Sequence, residues 1–174
     1  SPDGARVFSS SLDGSLGVWN AADGFPEQRL GAGAPVNSIA LAQKGERLAA
    51  ACADGAIRVW TLAAQPQPAG AAPPAAPPAP PPAPPAPVVL SGHAKAVTSL
   101  AVVPSADAHI VSGSEDGTVR LWDLASSKEL RQVNHGTPVA AVAVRPDGQA
   151  FATAGADKAA KLWNAGDGKL LAEM

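Results

Sequence analysis

The chain has 174 residues, 46% of them hydrophobic, a formal charge of -2 and a single cysteine. That length and apolar content suffice to bury a core, the charge lacks the basic excess that marks nucleic-acid or anionic-membrane partners, and Cys52 alone cannot form an intrachain disulfide. Nucleic acid and membrane are therefore not expected among the partners; the opening Ser1-Pro2-Asp3-Gly4, without methionine or leader, is expected of an excerpt from a longer chain.

Short alternations of apolar and polar residues, bounded by turn residues, run through the chain as half-buried β-strands require. Arg6 to Leu12 and Ser15 to Asn20 come first, then a strand near Glu27 to Leu30, with Val7, Leu16 and Val18 marking the buried faces. Val36 to Ala42, Arg47 to Cys52 and Ala56 to Leu62 follow. The glycines at Gly31 and Gly33 invite a phosphate-loop reading, but the next element is a strand and not a helix whose N-terminus could hold an anion. Val97 to Val103, His109 to Ser114 and Thr118 to Leu124 form a third set. Val139 to Val144, Ala150 to Ala154, Ala159 to Asn164 and Lys169 to Glu173 form the last.

Between Leu62 and Val88 prolines and alanines dominate, and such a segment prefers polyproline II, without backbone donors for a sheet. Twelve prolines between Thr61 and Lys95 also exclude a membrane-spanning helix there. Gln65 to Pro87 is expected to loop out of its repeat as a spacer, since lengthening a loop sixfold costs only ~1.6 kcal/mol. Pro74 to Pro77 and Pro81 to Pro84 have the spacing that docks in aromatic grooves, but no Arg or Lys between Arg58 and Lys95 orients such a ligand.

One interval recurs throughout: Asp13 to Trp19, Asp54 to Trp60, Asp116 to Trp122 and Asp157 to Trp163 are each six residues apart. The stretch from Ser91 to Leu124 adds His93 and Ser112 to this pair, and the last repeat adds His135 and Thr153. The first keeps Ser9, Asp13 and Trp19. The second has Ala32 and Ala50 at the histidine and serine positions and keeps only Asp54 and Trp60. Repeats of about 40 residues with strands, an Asp-Gly-type turn, a Gly-His start and a Trp-Asp end resemble the WD-repeat (WD40) family of β-propellers.

The resemblance implies an all-β fold: a β-propeller arc of about four antiparallel four-stranded blades, the first without its innermost strand, within a larger ring completed by further repeats of the parent chain. The segments are then 1–30, a degenerate repeat at 31–64 plus 88–92, the insert at 65–87, and repeats at 93–134 and 135–174. It also implies that the Trp indole donates to the Ser or Thr hydroxyl, the hydroxyl to the His, and the His to the Asp.

Serine, histidine and aspartate also make hydrolase triads. Here no Gly-x-Ser-x-Gly elbow carries Ser112 or Thr153, and the set repeats, as structural devices do. His109, without a nearby second ligand, reads as a solvated loop residue and not a metal site; Cys52, aligned with Ser11, Ser114 and Gly155, reads as a buried inert thiol. No catalytic residue, metal or cofactor is expected. The function implied by the resemblance is a non-catalytic scaffold for protein partners. The family's binding rim would fall here at Leu12, Ala53, Glu115, Ala156, Lys95 and Thr137, of which Lys95, Glu115 and Thr137 are the candidate contacts. The alternative is a regulatory or sensory region of a larger, enzymatic protein. Localisation is not legible.

Overall fold

The computed structural model describes residues 1–62, 85–104 and 108–174. Within them four antiparallel meanders follow one another in chain order. Blade 1 has three strands: β1 (Arg6–Ser10), β2 (Ser15–Asn20) and β3 (Pro26–Gly31). Blade 2 has β4 (Val36–Ala42), β5 (Arg47–Cys52), β6 (Ile57–Thr61) and β7 (Val88–Leu90). Blade 3 has β8 (Val97–Val102), β9 (His109–Ser114), β10 (Thr118–Asp123) and β11 (Lys128–Asn134); blade 4 has β12 (Val139–Val144), β13 (Ala150–Gly155), β14 (Ala160–Asn164) and β15 (Leu170–Glu173). Among the described residues no strand of blade 4 pairs with blade 1, so the series is an open arc of one three-stranded and three four-stranded sheets.

Most of the expected insert, residues 65–84, and part of the loop Ser105 to Ala108 lie outside the described residues. Beyond the insert the blade resumes in register, with Val88 paired to Val59 and Leu90 to Ile57.

Period-2 alternation gives each blade two apolar faces, and neighbouring blades bury them against each other. Leu16 and Leu30 of blade 1 meet Val36, Leu48 and Trp60 of blade 2. Ile57 and Val59 of blade 2 meet Val97, Ile110 and Trp122 of blade 3. Val111 and Val119 of blade 3 meet Val139, Phe151 and Trp163 of blade 4. The signature tryptophans of blades 2, 3 and 4 thus plug the junction with the preceding blade. The same rule corrects the expectation for Val7. It occupies the position of the fully buried Ile110 but is 54% exposed, because its face shares Trp19 and nothing described stands against it.

The innermost strands β4, β8 and β12 lie side by side, and each carries a bulge at its second residue. A bulge turns that side chain sideways, out of the alternating pattern. In blades 2 and 3 it reaches the next blade: Asn37 Nδ2 donates to the Val97 carbonyl at 2.8 Å, and Thr98 Oγ1 to the Val139 carbonyl at 2.7 Å. The residue after each bulge adds a second link, Leu100 N–H to Ser38 Oγ and Val142 N–H to Ser99 Oγ. Blade 4 has Ala140 and Ala141 at these places, with no polar side chain to extend the series.

The turn after each signature aspartate needs a left-handed residue. Gly14, Gly55 and Gly117 supply it at φ 83°, 85° and 83°, whereas Lys158 adopts φ 65° in blade 4.

Candidate functional site

The expected His, Ser or Thr, Asp and Trp positions converge most completely in blade 3. Trp122 Nε1 donates to Ser112 Oγ at 2.8 Å, and Ser112 Oγ lies 2.7 Å from His93 Nε2. His93 Nδ1 lies 3.0 Å from Asp116 Oδ2. A carboxylate accepts only, so Nδ1 carries the proton, Nε2 accepts from Ser112, and the tautomer is fixed. The His93 ring also meets Trp122 edge-on, with ring centroids 6.2 Å apart. Gly92 precedes it because a methyl group there would run into the Arg120 guanidinium and Trp122.

Thr118 belongs to the same cluster, which the sequence reading missed. Its hydroxyl donates to Asp116 Oδ1 at 2.6 Å and lies 3.1 Å from His93 Nδ1, while Asp116 also accepts from the Ala94 and Thr118 N–H groups at 2.9 and 2.8 Å. Burial opposes ionisation of Asp116, but these donors outweigh it and hold the carboxyl at about 2. Burial is also the leading effect on His93 and lowers its pKa in spite of the carboxylate. The signal for Thr118 was its place two residues after the aspartate, where Ser15, Ala56 and Ala159 stand elsewhere.

Blade 4 builds the cluster with the imidazole turned over. Trp163 Nε1 donates to Thr153 Oγ1 at 2.8 Å, Thr153 Oγ1 lies 2.9 Å from His135 Nδ1, and Nε2 lies 3.3 Å from Asp157 Oδ1. Lys161 Nζ donates to the His135 carbonyl at 2.8 Å. Asp157 is more open than Asp116, with 27% against 9% of its side chain exposed, and its carboxyl is lowered chiefly by the Ala159 N–H.

Blades 1 and 2 hold remnants. Trp19 Nε1 donates to Ser9 Oγ at 2.8 Å on the uncovered face, and Asp13 accepts from the Ser15 N–H at 2.8 Å as a turn cap. In blade 2 the Ala50 methyl replaces the hydroxyl that faces tryptophan in blades 3 and 4, Trp60 packs into the core, and Asp54 turns to the Arg58 guanidinium, which donates to both carboxylate oxygens. Ala32 sits where histidine does, its N–H bonded to the Gly14 carbonyl as the His135 N–H is to Gly117.

Residues matching the family profile described as "WD domain, G-beta repeat" are 1–20, 25–61, 87–123 and 127–164. The chain belongs to the WD40 repeat family. A coronin-like protein of Saccharomyces cerevisiae is 32% identical over 84 residues, 48% of this chain and 13% of its own length. A guanine nucleotide-binding protein subunit beta of Solanum tuberosum is 27% identical over 171 residues, 94% of this chain and 42% of its own length. A ribosome assembly protein 4 of Chaetomium thermophilum is 43% identical over 65 residues, 36% of this chain and 13% of its own length. The chain therefore spans less than half the length of these curated WD40 relatives.

In this WD40 arc the hydroxyls of the triad-like sets are spent inside the blades. Ser112 is fully buried and Thr153 nearly so, each receiving an indole N–H and facing a histidine. A nucleophile needs a free path to substrate, and these have none. His109 is not a free loop residue: it is the first residue of β9, half-buried and paired with Asp123. Cys52 is fully buried, and burial raises its pKa. Among the described residues no group of His, Cys, Asp and Glu is placed to hold a metal ion, and no helix is long and apolar enough to cross a membrane.

The rim residues Leu12, Ala53, Glu115, Ala156 and Lys95 are exposed, with Thr137 half-buried. Lys95 and Glu115 are neighbours across the turn, where the Glu115 N–H donates to the Ala96 carbonyl at 3.0 Å and Ser114 Oγ to the Lys95 carbonyl at 3.1 Å. Thr137 stands near Asp157, but its Oγ1 is buried and makes no hydrogen bond among the described residues.

Proposed function

We propose that this chain is a non-catalytic WD40 scaffold whose Lys95, Glu115 and Thr137 rim contacts protein partners. The observation that carries the reading is the placement of its two chemistries. The reactive-looking set of blade 3 is buried and hydrogen-bonded within the blade, whereas Lys95 and Glu115 stand side by side in solvent on backbone fixed by three hydrogen bonds. Opposite charges on a rigid turn set orientation and encounter rate more than raw affinity. Relatives named as a subunit of a guanine nucleotide-binding protein and as a ribosome assembly protein support a role within assemblies.

The test is affinity purification of the full-length protein beside its Lys95→Glu/Glu115→Lys variant, with circular dichroism as the check of folding. Loss of a defined set of partners from the folded variant is expected. An unchanged partner set sinks the reading.

A further inference from the structure

On the rim opposite Lys95 and Glu115, each pair of neighbouring blades meets below the connection that follows the third strand. Two aligned positions control that junction: the first residue of the second strand in one blade, and the residue after the third strand in the next. At blades 1 and 2 these are Arg6 and Leu62, which line a crevice of about 170 Å³. At blades 2 and 3 they are Arg47 and Leu124; the Arg47 guanidinium donates to the Leu124 carbonyl across the junction, beside a crevice of about 270 Å³ lined by Gln43, Lys44, Glu46 and Ala108. At blades 3 and 4 they are His109 and Ala165, both shorter, and the crevice is about 630 Å³. That is the volume of a ligand site.

Its walls divide by chemistry. Val103, Leu121 and Leu130 form an apolar side, and His109, Arg131 and Gln149 a polar one, with no carboxylate among the described lining residues. Arg131 donates through Nη2 to the Gly166 carbonyl, which leaves its Nε buried without a hydrogen-bond partner. Among the described residues, Asp167 pairs with Lys169 and also feels the Arg131 charge, and Asp123 accepts from the Ser126 hydroxyl.

We propose that this inter-blade crevice binds a peptide segment in which a leucine-sized side chain adjoins a carboxylate. The apolar wall takes the side chain, and Arg131 takes the carboxylate in a charge-assisted hydrogen bond. The proposal borrows from the preceding reading only that partners are proteins; the surface and its residues are different.

The probe is a fluorescein-labelled, C-terminally amidated hexapeptide alternating leucine and aspartate, titrated with the full-length protein by fluorescence anisotropy. Saturable binding is expected, weakened about tenfold or more when asparagine replaces aspartate in the peptide. Arg131→Gln is expected to weaken it similarly. His109→Arg, which places a guanidinium as Arg47 does, is expected to narrow the crevice and weaken binding about tenfold while circular dichroism stays native. Lys95→Glu should bind the peptide normally, which separates failure here from failure of the rim reading. Absence of saturable binding, equal affinity for the asparagine peptide, or wild-type affinity of folded His109→Arg would each overturn the proposal.

Discussion

His93 and His135 hold their carboxylates with opposite ring nitrogens, His93 through Nδ1 at 3.0 Å and His135 through Nε2 at 3.3 Å. Gly155 accounts for the difference. A methyl group at Gly155 would collide with the His135 ring, whereas blade 3 has Ser114 in that place, its hydroxyl donating to the Lys95 carbonyl. Opposite donor nitrogens follow, Nδ1–H for His93 and Nε2–H for His135. Long-range proton–nitrogen correlation spectra should resolve one of each. Gly155→Ser should turn the His135 ring over and convert its pattern to that of His93; two identical patterns in the unsubstituted protein would contradict the geometry.

The two best-placed aspartates should differ in worth. Asp116 accepts from His93, Thr118 and two backbone N–H groups, whereas Asp54 serves its turn and a partly exposed Arg58. Removing a carboxylate that leaves a buried histidine without its acceptor costs about 2–4 kcal/mol, and a partly exposed ion pair is worth up to about 1 kcal/mol. Asp116→Ala should therefore destabilise the chain more than Asp54→Ala in urea denaturation. Equal losses would mean that both residues only shape their turns.

Acid should weaken blade 3 in two stages. His93 titrates below its ordinary 6.5 because burial disfavours the charged ring, so the unfolded chain takes up a proton first and stability falls as pH drops below about 6.5. Asp116 is held at about 2 against an ordinary 3.8, so its contribution is complete above about 4 and is lost as pH falls towards 2. That second stage amounts to on the order of 2 kcal/mol. Urea midpoints from pH 8 to pH 2.5 should show both declines, and Asp116→Asn should make the second shallower, the other lowered aspartates such as Asp54 and Asp157 supplying the rest. A flat profile between pH 7 and pH 5 would contradict the effect of burial on His93.

Lys158 occupies the left-handed position that glycine fills in the other three turns, and its side chain is exposed. An L-residue there costs about 1 kcal/mol relative to glycine. Lys158→Gly should raise the thermal midpoint; a lowered midpoint would mean that the lysine side chain contributes a contact the turn depends on.

The strands were legible because period-2 alternation and the Asp-Gly turns are local signals, and the His93 and His135 sets because their members recur at fixed spacing. What the sequence withheld depends on neighbouring blades. Val7 carries an apolar side chain on the correct face, but its burial depends on what stands against that face. The links from Asn37 and Thr98 require bulges, which break the very alternation used to find strands. The crevice beside His109 appears only when Arg6, Arg47 and His109 are compared across separate junctions.

The outward faces of the arc should make the isolated 174-residue chain self-associate. At one end Val7 and Trp19 are open where their blade-3 counterparts Ile110 and Trp122 are buried, and a cleft of about 420 Å³ runs beside Trp19, Gly17 and Pro26. At the other end Leu170 and Leu171 are about half exposed on β15, and Ala140 and Ala141 offer none of the hydrogen bonds that join β4 to β8 and β8 to β12. Repeat arrays lose stability where a terminal repeat lacks a polar cap, and contiguous apolar faces associate. Light scattering of the chain alone should give a mass that rises with concentration. Val7→Lys combined with Leu171→Lys should return it towards the monomer without changing the circular dichroism, because both side chains already face solvent. A concentration-independent monomer of the unsubstituted chain would show that these faces are tolerated as they stand.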